Sequence, residues 1–215
     1  MSSTERDYTL VTSAATWRRL HEHLVGEVAE RMAFGYCSAT SRRGKTRFVL
    51  HEVEFPADQD YSVQHSARVV LGATNTVRYL MRAKGAAAFL DVHSHPFPGA
   101  PHPSATDDEA ATRQYASLQG PSPGAALVRI IVSGDGQIWA GVHTGPESPE
   151  PVDRIHILAR TGLEVVLPVN GRSSALATFQ EMDRRTLACL GESRLSKMRG
   201  LTVGLIHLLK CGQCT

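Results

Sequence analysis

FLDVHSHPFPGAPHPSATDDEA, residues 89–110, runs from an apolar stretch through two histidines into a Pro/Gly loop and then an acidic helix start. The run at 86–92 reads as a buried strand ending at His93. Residues two apart on a strand share a face, so His93 and His95 can present both imidazoles to one ion. Residues 97–103 are too rich in proline and glycine to be regular, and they leave room to return Asp107 as a third ligand. Three protein ligands leave one tetrahedral position for water, the pattern of a catalytic zinc site. A second reading needs no metal. Ser104 followed by Asp107 is also a helix N-cap with an acidic third residue, and Asp108 and Glu109 suit the positive end of a helix dipole.

Working outward, Trp17, Leu20, Leu24 and Val25 fall at helical spacing over 13–25, with Ser13 as cap. Residues 31–39 and 47–55 alternate as strands around a basic turn at 41–45. An apolar stretch at 67–71 precedes a helix starting at Asn75 or Thr76. Residues 104–118 read as a helix. Residues 127–133 and 137–143 form a hairpin around Gly134-Asp135-Gly136. After a Pro-rich, acidic linker at 144–151 come apolar segments at 154–158 and 163–169, a helix over 173–190 and a buried strand at 201–206.

Residues His93-Ser94-His95-Pro96 and Ser104-Ala105-Thr106-Asp107 together resemble the JAMM (JAB, MPN-plus) signature His-x-His-Pro…Ser-x-x-Asp, five fixed residue types in order. The interval from His95 to Asp107 is one residue longer than the commonest family spacing, which makes Asp108 a competitor for the ligand role. The family also uses a glutamate at the start of an upstream strand. Residues 30–37 (ERMAFGYC) are similar, with Ala33 and Cys37 where glycines are usual. Glu30 is the favoured counterpart and Glu27 the alternative.

The resemblance implies an α/β fold, a mixed β-sheet of JAB/MPN (cytidine-deaminase-like) type flanked by helices, followed here by a C-terminal helical extension. It assigns residues 1–150 to the metallopeptidase domain, 151–172 to a β-rich connection and 173–215 to a further segment. It implies zinc on His93, His95 and Asp107, Glu30 as general base and Ser104 as oxyanion donor. The implied reaction is hydrolysis of an amide or isopeptide bond at the tail of a ubiquitin-like protein. The alternatives are a non-catalytic MPN-type scaffold and a peptidase that trims a sulfur-carrier protein.

Residues 183–206 resemble the arm and first strand of a ThiF-like adenylating domain. No Gly-x-Gly-x-x-Gly follows Ile206, so no phosphate cradle forms, and the reading is a truncated fusion without adenylation. A ThiF-like activating enzyme and a conjugating enzyme are then expected partners. The orphan strand at 201–206 would pack on the preceding domain, pair with another chain in a homodimer, or stay exposed as a sticky edge.

Composition narrows the rest. The 215 residues are 42% hydrophobic and 20% charged, with a net charge of +2. That suffices for a core and is too weakly basic to favour nucleic acid or an anionic membrane. The polar N-terminus lacks a signal-peptide core and no apolar run spans a bilayer, so a cytoplasmic protein with four reduced cysteines is expected. Cys211-x-x-Cys214 with His207 lacks a fourth zinc ligand. Residues 39–46 (ATSRRGKT) lack the first glycine of a phosphate loop. A nucleobase deaminase would carry glutamate where His95 stands.

Overall fold

The computed structural model describes residues 6–25, 27–63, 69–71, 73–145, 147–159, 164–167, 169 and 170. The chain divides into two compact units, Met1–Arg172 and Ser173–Thr215. The second unit, including the expected helix at 173–190 and strand at 201–206, lies outside the described residues, as do Cys189, Cys211 and Cys214.

Among the described residues of the first unit lie eleven strands and three α-helices. They are β1 Asp7–Ser13, α1 Ala14–Leu24, β2 Met32–Arg42, β3 Lys45–Glu54, β4 Tyr61–Val63, β5 Val69–Leu71 and α2 Ala73–Arg82. Then follow β6 Ala88–His95, α3 Ala105–Leu118, β7 Ala126–Ser133, β8 Ile138–His143, β9 Glu150–Pro151, β10 Arg154–Leu158 and β11 Glu164–Leu167. Nine strands form one mixed sheet in the order β11-β10-β1-β3-β2-β6-β7-β8-β9, while β4 and β5 pair separately. Strands β1/β10, β1/β3 and β6/β7 are parallel, and the other neighbours antiparallel.

The sheet is curled. Pro151 pairs with Gly141 on β8, and three residues later Arg154 pairs with Thr9 on β1. Between them, the Val152 N–H donates to Ala140 O and the Asp153 N–H to Tyr8 O. One short stretch of chain therefore ties the β8 side of the sheet to β1. The strands of 151–172, read from sequence as a connection, are woven into this sheet.

Alternation along the strands divides the core in two. On one face Ala88, Leu90, Val92, Val128 and Ile130 pack with Leu20, Leu24 and Trp17 of α1. On the other, Phe34, Tyr36, Phe89 and Leu127 pack with Tyr79 and Leu80 of α2 and Ala111 and Leu118 of α3. The odd-numbered residues of β6 therefore face α2 and α3, and His93 and His95 continue that column.

Most elements expected from sequence form within a few residues of their expected limits. Ser13 caps α1, accepting the Thr16 N–H at 3.0 Å. The basic turn is tighter than expected: only Arg43 and Gly44 separate β2 from β3, with φ of 52° and 77°. Two successive positive φ values suit the right-handed twist of a two-residue hairpin. Strands β1, β4 and β9 were not anticipated. No helix among the described residues is long and apolar enough to cross a membrane.

Candidate metal centre

Strand β6 carries both histidines and α3 brings the carboxylate. His93 pairs with Met32 on β2 and with Ile131 on β7, so it sits in the middle of the sheet and is nearly fully buried. His95, the last residue of β6, is half-buried. His93 Nε2 lies 3.8 Å from Asp107 Oδ1, and His95 Nε2 lies 3.7 Å from Asp107 Oδ2. The three ligand atoms fall within 4.8 Å of one another. Zinc held by nitrogen and oxygen at about 2.0–2.1 Å in a tetrahedron spaces its ligand atoms by about 3.3 Å. The two imidazole–carboxylate distances exceed that spacing by about half an ångström.

The electrostatics suit a cation. Burial pushes His93 down to about 3, so the ring is a neutral imidazole with a lone pair to give. Its Nε2 is buried and has no hydrogen-bond partner, an orphan that a metal would satisfy. Burial works against the Asp107 charge, but the His95 ring, the Ser104 hydroxyl and the His93 ring hold its carboxyl below the usual carboxylate range. His93, His95 and Asp107 thus form a donor set of two imidazole nitrogens and one carboxylate oxygen that could hold a metal ion.

Two devices fix the ligands. Ser104 is the N-cap of α3. Its Oγ accepts the Asp107 N–H at 3.2 Å, and the Asp107 Oδ2 accepts the Ser104 N–H at 2.6 Å. The capping reading and the ligand reading of Asp107 are therefore both realised by one side chain. At the other end, the Pro/Gly loop after His95 is pinned to the β7–β8 turn. The Gly134 N–H donates to Phe97 O at 3.1 Å, and the Gly99 N–H to Asp135 Oδ2 at 3.2 Å.

Asp108, the competing ligand from sequence, points elsewhere. Its Oδ1 accepts from Arg129 Nη1 at 3.1 Å. The glutamates separate too. Glu27 is exposed and lies 3.9 Å from Arg31. Pairing of β2 with β6 continues beyond Met32 and His93: Ser94 donates its N–H to Arg31 O and accepts the Arg31 N–H on Oγ, both at 2.9 Å. The next residue back, Glu30, directly precedes this pairing and is half-buried.

Sequence reading passed over Ser94, Asp91, Arg129 and Gly134. Ser94 is the unspecified middle residue of His-x-His. Asp91 and Arg129 carried a signal, since each is a charge flanked by apolar residues within a strand.

A family model described as prokaryotic homologs of the JAB domain matches residues 13–149, from the cap of α1 to just before β9. No curated protein matches the chain. The matched span holds both histidines, the capped aspartate and the strands that carry them, and covers more than half of the chain. The protein belongs to the prokaryotic homologs of the JAB domain.

Proposed function

We propose that the protein is a zinc-dependent peptidase or isopeptidase acting on the C-terminal tail of a ubiquitin-like protein. The observation that carries this reading is the convergence of His93, His95 and Asp107, with the buried His93 Nε2 left without a protein partner. Two imidazoles and one carboxylate are a donor set for zinc with a position open to solvent.

Zinc, when bound, supplies Lewis acidity at neutral pH. The remaining work falls to the chain. Glu30 would take a proton from the attacking water and return it to the leaving amine. Ser104 Oγ accepts the Asp107 N–H, and a hydroxyl that accepts one bond still has a proton to give. That proton would be donated to the carbonyl oxygen as negative charge develops there, a contact stronger in the transition state than before it. His93 stays neutral and holds its ring by burial; Asp107 holds its carboxylate by the helix cap.

The competing reading is a non-catalytic scaffold of the MPN type. Scaffolds of that type typically lose ligand residues, whereas this chain keeps both histidines, the aspartate, Ser104 and a glutamate just before β2. A ThiF-like activating enzyme, a conjugating enzyme and a homodimer remain proposed partners, and the cytoplasm the proposed location.

The test is zinc content of the purified full chain, with cleavage of a ubiquitin-like protein fused through its C-terminus to a lysine side chain or to a short peptide. Stoichiometric zinc with cleavage of either fusion supports the peptidase, and the preferred fusion separates isopeptidase from tail trimming. His95→Ala should lose both metal and cleavage. Zinc bound without cleavage of any such fusion would favour the scaffold.

A further inference from the structure

Behind the three ligands lies a second polar cluster that metal binding does not use. Asp91 on β6 and Arg129 on β7 are register partners in the parallel pair. Phe89 and Leu127, one alternation earlier, belong to the core beneath α2 and α3, so Asp91 and Arg129 face the same way. Arg129 is 1% exposed, the largest fully buried side chain among the described residues. Its Nη1 reaches Asp108 Oδ1 at 3.1 Å, on the first turn of α3. The guanidinium also lies over the Trp139 ring, 5.8 Å from its centroid.

An ion pair with one buried and one half-exposed partner is weak evidence for stability, because desolvation of the buried charge consumes much of the attraction. Its place is more informative. Successive helical residues point about 100° apart. A first turn that turns Asp108 onto Arg129 turns Asp107 toward the imidazoles. The Ser104–Asp107 cap sets the carboxylate relative to its own helix; it does not set the helix relative to the sheet. Arg129 can supply that second constraint, because its guanidinium is buried on β7 and donates to Asp108 on the helix.

We propose that Arg129 is a positioning residue for the metal centre, acting through Asp108 to register the first turn of α3 on strand β7 and so place Asp107 between His93 and His95. The proposal rests on the metal-site reading above. It also gives Asp108 a role other than ligand.

The experiment compares full-length wild type, Arg129→Met, Asp108→Ala and the double variant. Zinc affinity is measured by competition with a chromophoric chelator, and the visible spectrum of the cobalt(II) form reports its ligand set. Each single variant should bind zinc about tenfold more weakly, the usual scale for residues that orient metal ligands. The double variant should lose no more than the weaker single, since both cut one link. The cobalt spectrum should change, which a loss of stability alone would not cause. Asp108 is half exposed, so Asp108→Ala carries the test if Arg129→Met fails to fold. Folded Asp108→Ala with wild-type affinity and spectrum overturns the proposal, as do additive losses in the double variant. Wild type that takes up neither zinc nor cobalt overturns the metal-site reading itself, a result distinct from either.

Discussion

Ser104 and Asp107 cap each other across the first turn of α3: the Asp107 carboxylate accepts the Ser104 N–H at 2.6 Å and the Ser104 hydroxyl accepts the Asp107 N–H at 3.2 Å. The same carboxylate approaches both imidazoles, at 3.8 and 3.7 Å. A cap fixes a side chain in one rotamer at the helix start. Here that rotamer points at the ligand set, so the ordering entropy of the carboxylate is spent in folding rather than in binding.

Ser104→Ala should therefore act twice. Loss of the cap costs about 1 kcal/mol of stability, read as a lower urea midpoint in the metal-free protein. Loss of the donor should lower turnover by about a hundredfold or more, with zinc still bound. Ser104→Thr keeps both a hydroxyl and the cap and should restore most of each. A Ser104→Ala variant of unchanged turnover would remove this hydroxyl from the chemistry.

Gly134 sets how closely the β7–β8 turn approaches the loop that follows His95. A Cβ built on it would meet Pro96 O at 2.3 Å, far inside contact distance, and the obstacle is backbone that cannot swing aside. Gly134→Ala should push Pro96 away, break the Gly134 N–H to Phe97 O bond and cost about 1–3 kcal/mol. Because Pro96 follows His95 directly, zinc affinity should weaken as well. Thermal melts and zinc competition on the one variant check both; a melt and an affinity both equal to wild type would contradict the close approach.

The site was more legible in the sequence than the fold around it. His93, His95, Ser104 and Asp107 lie within fifteen residues and are related by local rules, strand alternation and helix capping, that a sequence displays. Strand β1 was missed because it pairs in parallel with β3 and β10, partners remote in sequence, and its DYTLVTS is flanked by a polar terminus. Strand β4 has three residues, below the length at which alternation can be seen. The Arg129–Asp108 link joins residues 21 apart; a lone arginine in LVRIIVS signals an anomaly without naming its partner. Asp108 remained a rival ligand for that reason.

Glu30 and Glu27 should behave differently. Glu27 is exposed and pairs with Arg31 across one helical-type interval, an interaction of little energetic consequence at a surface. Glu30 directly precedes Arg31, which pairs with Ser94 between the two histidines. Glu30→Gln should keep its zinc and lose turnover by about a hundredfold or more, the scale of a missing general base. Glu27→Gln should keep both. Near-normal turnover by Glu30→Gln, or a collapse in Glu27→Gln, would reverse the assignment.

Acidification separates His93 from its neighbours. Burial pushes its ring to about 3 in the folded, metal-free protein, whereas an unfolded histidine titrates near 6.5. Between those values the unfolded chain binds the extra proton, so His93 makes the fold less stable as pH falls from about 6.5 toward 3. Asp91 works in the opposite sense: burial, opposed by Arg129, raises it to about 6. Its contribution is fully present below the unfolded value near 3.9 and is lost as pH rises through about 6. The two contributions offset each other between about pH 4 and 6 and hide the histidine in wild type. His93→Gln exposes it. With metal removed by chelator, the stability of His93→Gln relative to wild type should rise by about 2 kcal/mol between pH 7 and pH 5, measured by urea unfolding at both. A difference independent of pH would mean that His93 titrates normally and is not the buried neutral ligand that the geometry requires.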